Sequence, residues 1–129
     1  MAQELGRLAG GIWGERSGSV ETIRTELDAL ASQAGLDLAL AHRLTPESLG
    51  MLVAPAGSTD PTRCWLLAEM FYLTGRLSQR EIEVEAAQES FRRALTLYRR
   101  VDPHRLPDVE IPGVDERIAD IEQRLADRT

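Results

Sequence analysis

Residues 60–101 read DPTRCWLLAEMFYLTGRLSQREIEVEAAQESFRRALTLYRRV. Asp60 is placed as an N-cap and Pro61 at the first helical position, where a missing N–H costs nothing. Gly75 can take the left-handed conformation that ends helices, which predicts a first arm over residues 60–74. Ser78 and Glu81 then stand at capping-box spacing, with Leu77 and Ile82 placed to staple, and Pro103 disfavours helix at Asp102. The second arm is therefore expected from Ser78 to about Val101. Two helices joined through about three residues lie antiparallel.

Spacing assigns the faces. Cys64, Leu67, Ala68 and Phe71 recur at three and four residues, as do Val84, Ala87, Phe91, Ala94 or Leu95, and Tyr98. Each arm thus carries an apolar stripe, and the stripes can meet. At about 1.5 Å per residue the arms would span about 21 and about 35 Å. The excess on the second leaves Leu97, Tyr98 and Val101 to be covered by other parts of the chain or by a partner.

Outside this stretch the chain holds shorter amphipathic segments. Val20, Ile23, Leu27 and Leu30 form a stripe ending near Gly35, and Val114, Ile118, Ile121 and Leu125 form another in the last segment. Leu36 to Leu40 alternates, but without a second strand to pair with it reads as helix or coil. Leu44-Thr45-Pro46-Glu47 reads as staple, N-cap, first helical proline and first-turn acid, predicting a short helix to about Val53. Leu5, Leu8 and Ile12 predict a short helix among glycines that weaken it, so residues 1–18 are expected to be loosely ordered. Residues 54–59 read as a loop, and the proline-rich 102–113 as an extended segment. The fold class expected is all-α, about five or six helices in a single domain over residues 1–129.

Cys64-x-x-Leu67-Ala68-x-x-Phe71, followed by Ala87-x-x-x-Phe91 with Ala94 after it, resembles the tetratricopeptide repeat. Cys64 stands for an aromatic, Ala68 for glycine, and about seven extra residues separate the halves. Seven residues are close to two turns and return Ala87 and Phe91 to nearly the same face. Leu44-Thr45-Pro46-Glu47-Ser48-Leu49 and Glu116 to Ile121 extend the likeness to a bacterial family of small tetratricopeptide-like proteins, to which no chemistry is assigned. The resemblance implies a peptide groove lined by Thr62, Trp65, Glu69 and Tyr72. The first arm is apolar almost all round, however, and such helices are usually buried between neighbours.

The function classes narrow by subtraction. The net charge of −6 disfavours nucleic acid and anionic membranes as partners. All fifteen basic residues are arginine, and lysine and asparagine are absent, which reads as the mark of a GC-rich bacterial genome. The single cysteine, the lack of a signal-peptide pattern and the charges interrupting every apolar run lead us to expect a cytoplasmic protein. Neither His42 nor His104 stands in a metal-ligand pattern, and no nucleophile arrangement is visible. The expectation is a non-catalytic interaction or scaffold module without a cofactor. It would bind a protein or peptide, or itself as a homodimer, through Trp65, Glu69, Tyr72, Leu97, Tyr98 and Val101. Arg92, Arg93, Arg99 and Arg100, paired at seven-residue spacing, are the candidates for an anion site, weighed against a solvated face with local ion pairs. An enzymatic reading would need His104 and Asp102 to gather with these arginines.

Overall fold

The computed structural model describes residues 20–33, 35–45, 47–50, 61–101 and 113–126. They form helices α1 (Val20–Gln33), α2 (Leu38–Arg43), α3 (Pro61–Arg80), α4 (Val84–Tyr98) and α5 (Val114–Ala126), with no strand among the described residues. The helix expected near Leu5, the loop at 54–59, the segment 102–112, and His104 with Asp102 lie outside the described residues. No helix among the described residues is long and apolar enough to cross a membrane.

α3 and α4 pair along their length as an antiparallel hairpin, α5 packs on α4, and α1 packs on α3 and α2. The register can be followed through cross-contacts. Cys64 Sγ donates to the Leu97 carbonyl at 3.1 Å, the Tyr98 hydroxyl donates to Glu69, and Gly75 lies against the Phe91 ring. α3 is buried on nearly every face from Cys64 to Ser78, as a helix apolar all round requires.

The hairpin turns later than the sequence suggests. α3 runs through Gly75, so its 20 residues span about 30 Å and the 15 of α4 about 22 Å. The turn comes at Glu81–Glu83. Ile82 N donates to the Gln79 carbonyl at 3.1 Å and Glu83 N to the Ser78 carbonyl at 2.8 Å. These are the paired bonds of a Schellman motif, with Ile82 at φ 59° in the position usually given to glycine.

Ser78 is therefore a buried helical residue and not an N-cap, and Ile82 points to solvent instead of stapling onto Leu77. Gly75 serves a different need. A Cβ built there would come within 2.7 Å of the Phe91 ring, so glycine is what lets α4 approach α3. The helix loses up to about 1 kcal/mol of propensity. Burying a phenylalanine contributes about 1.5–3 kcal/mol, which decides in favour of packing.

The remaining elements are local. α1 ends as expected at Gly35, φ 74°, with Leu36 N donating to the Ala31 carbonyl at 2.8 Å. α2 is started by Asp37, whose carboxylate accepts from Leu40 N at 3.0 Å. Thr45 Oγ1 accepts from Ser48 N at 3.2 Å, the N-cap expected of it. Glu116 reaches back to the Gly113 N–H at the start of α5.

Candidate functional site

All six residues proposed for partner binding are buried within the chain: Trp65, Glu69, Tyr72, Leu97, Tyr98 and Val101. For Trp65, Glu69 and Tyr72 this is the burial favoured over a peptide groove. For Leu97, Tyr98 and Val101 it corrects the expected overhang. With the turn at residues 81–83, α4 is the shorter arm, and its end lies alongside the start of α3.

Three of these residues form a polar network that docks α5. Arg117 Nε donates to Glu69 Oε1 at 3.0 Å and Arg117 Nη2 to Glu69 Oε2 at 3.2 Å, a two-pronged pair with side chains 3% and 1% exposed. The Tyr98 hydroxyl donates to the same Glu69 Oε1, and the Arg117 guanidinium lies 4.2 Å over the Tyr72 ring. The Tyr72 hydroxyl donates to Asp120, which also accepts from Arg124 Nε at 2.8 Å.

The electrostatics follow from this packing. Burial, then the neighbouring Glu69 charge and hydrogen bond, raise the Tyr98 hydroxyl well above its ordinary pKa. Burial works against the Arg117 charge, but Glu69 outweighs it and the pKa rises. For Asp120, burial opposes ionisation, while the hydrogen bonds from Arg124 and Tyr72 outweigh it and the pKa falls. Arg117, Asp120 and Arg124 were missed in the sequence. A signal existed: Arg117 stands three residues after Val114 and four before Ile121, on the docking face of α5.

The arginine set is divided. Arg93 is largely buried, donating to the Leu44 carbonyl at 3.1 Å and the His42 carbonyl at 3.0 Å, and it closes the end of α2. With Arg43 and Arg92 it borders a groove of about 270 Å³. Arg99 instead pairs with Glu122 on α5 at 3.2 Å, and the Arg100 guanidinium lies against Gly50. The four residues do not form the single clamp that their spacing suggested.

Two further concave surfaces lie among the described residues. One, at the hairpin tip, has about 190 Å³ lined by Gln79, Ile82, Val84, Ala87, Gln88, Phe91 and Arg124. The other is a polar cleft of about 520 Å³ where α1 and α2 meet the hairpin. Its walls carry Glu21, Arg24, His42, Glu81, Glu83, Glu89 and Arg93, and Thr74, Ser78 and Ser90 lie buried beneath. His42 packs edge-on to Phe71 at 4.9 Å; burial, then Arg93, holds its pKa below the usual value, so it is neutral at pH 7. No cluster of three or more metal-ligating side chains occurs among the described residues. No family model, curated protein or solved structure matches the chain.

Proposed function

We propose that the chain is a non-catalytic protein-interaction module of tetratricopeptide-like build whose contact surface is the tip of the α3–α4 hairpin. The observation that carries this reading is Ile82. It is 82% exposed and holds φ at 59°. Single exposed apolar residues are ordinary, but a β-branched residue in the left-handed region is not. Glycine or asparagine would satisfy the same turn without strain, and neither would place an apolar side chain in water. Strain of this kind at an exposed position supports a use outside the chain itself.

The surroundings define the partner's chemistry. Val84 is 50% exposed beside Ile82, and the groove behind them reaches Ala87 and Phe91. Glu81, Glu83 and Glu85 alternate with the two apolar residues and are exposed. A partner segment that inserts an apolar side chain between arginines or lysines fits this pattern. A second copy of the same tip would bring like charges together, which disfavours the homodimer.

The test uses two amphipathic peptides alike in their apolar residues, one flanked by lysine and one by glutamate, titrated against the labelled protein by NMR. The lysine-flanked peptide is expected to shift the amides of Gln79, Ile82, Val84 and Ala87, and Ile82→Gly to abolish the shifts. Equal shifts from both peptides, or shifts confined to other surfaces, would overturn the reading.

A further inference from the structure

Two glutamines, Gln79 from the last turn of α3 and Gln88 from α4, line the groove at the hairpin tip together with the buried Ala87 and Phe91. A primary amide carries an acceptor oxygen and two N–H donors, the same functions as a peptide group. Gln79 is held from a third helix: Arg124 Nη1 of α5 donates to its Oε1 at 2.9 Å. Arg124 is itself fixed, its Nε donating to Asp120 at 2.8 Å. With its oxygen engaged by Arg124, the Gln79 amide keeps its N–H groups as donors to an incoming carbonyl.

The size of the groove is an independent observation. About 190 Å³ lies below the range of about 300–1,000 Å³ in which drug-sized ligands sit, and suits a single apolar side chain. An amphipathic helix docks through a row of anchors at i, i+3, i+4 and i+7, and its interior carbonyls are already bonded within the helix. Such a helix would find one socket where it needs several, and would have no carbonyl to offer the glutamine.

We propose that the tip groove reads the backbone of an extended partner segment. One apolar side chain of the partner enters the groove, and Gln79 donates to a backbone carbonyl beside it. Arg124 is the positioning residue that fixes Gln79 for this contact, so α5 belongs to the site although Ile82 and Val84 do not lie on it. The proposal rests on the hairpin-tip reading and adds to it the partner's conformation and a residue from a third helix.

Calorimetric titration of the full chain with two lysine-flanked peptides tests it. Both carry the same apolar residue; one is held extended by prolines outside that residue, the other helical by a side-chain staple. The extended peptide is expected to bind at least tenfold more tightly. Arg124→Ala and Gln79→Ala should each weaken it about fivefold, the loss of one hydrogen bond. Combining them should cost no more than Gln79→Ala alone, because Arg124 acts through Gln79. Arg124→Lys, which keeps a donor toward Gln79, should recover part of the affinity. Arg99→Ala removes a contact of α5 at Glu122, outside the groove, and should leave binding at the parent value. Circular dichroism confirms that each variant is folded. A helical peptide that binds as tightly as the extended one, additive losses in the double variant, or an equal loss in Arg99→Ala would overturn this proposal and leave the tip a contact surface. If neither peptide binds, the hairpin-tip reading falls and this one with it.

Discussion

The middle and the tip of the central hairpin place their residues in opposite senses. In the middle a glutamate and an arginine are withdrawn from water, 1% and 3% exposed. At the tip, 13 positions along the chain from Glu69, an isoleucine stands 82% exposed. The first inversion is resolved within the chain: α5 brings Arg117 to Glu69, and Tyr98 and Tyr72 complete the surroundings. The second is not resolved by the described residues. Each inversion costs free energy, so the difference between them separates residues that serve the fold from residues available for another role.

Breaking the middle gives the largest effect. Arg117→Met leaves Glu69 buried and unpaired, and should cost about 3–5 kcal/mol of stability by urea unfolding. Replacing both partners, Glu69→Met with Arg117→Met, should restore most of that, because paired burial and apolar burial are close in free energy. If the double variant is as unstable as the single, the network does more than neutralise itself.

Tyr98→Phe probes the same place through pH. The Tyr98 pKa is raised in the folded state, so its contribution is fully present below the unfolded value of about 10 and lost as pH rises through the folded value. The parent should therefore lose stability in alkali, and Tyr98→Phe should be less pH-sensitive there. At neutral pH the variant should be about 1.5–3 kcal/mol weaker, the value of a hydrogen bond to a charged group. Asp120, partly exposed and with its pKa lowered, acts in the other direction. Its contribution is present above the unfolded value of about 3.9 and is lost as pH falls through the folded value.

Between the two regions lies Gly75, which shows how far a sequence can be read. The helix class, the antiparallel pairing, the Gly35 and Thr45 caps and the apolar stripes were legible, because each is local and periodic; the exception is Val84, read as part of a stripe but 50% exposed because the turn falls just before it. The hairpin turn was not. Gly75 is the residue type that ends helices, and only the approach of Phe91, 16 positions away, explains why the helix continues through it. Long-range contact likewise decided the candidate site. Glu69 on an all-round apolar helix signalled burial, but its partner is 48 positions away on a face that spacing alone marks as apolar. Gly75→Ala should thus destabilise the chain by about 1–2 kcal/mol, overpacking against the ring outweighing the gain in helix propensity. Adding Phe91→Leu should remove the clash and make alanine at position 75 less harmful.

The smallest effect is expected at the tip, and its sign is the informative part. Ile82→Gly relieves a left-handed β-branched residue, a gain of about 1–2 kcal/mol, and adds backbone freedom to the unfolded chain, a loss of about 0.5–1 kcal/mol. No buried apolar contact is given up, since Ile82 is 82% exposed. The folded state should become more stable by about 0.5–1 kcal/mol, measured as a raised urea midpoint with an unchanged denaturant slope. Ile82→Asn, which also tolerates the left-handed region, should move the midpoint the same way. A residue whose removal stabilises the chain is not held there by the fold. A lowered midpoint in both variants would mean that Ile82 is packed against its own chain in solution, and the tip would then lose its claim to be a contact surface.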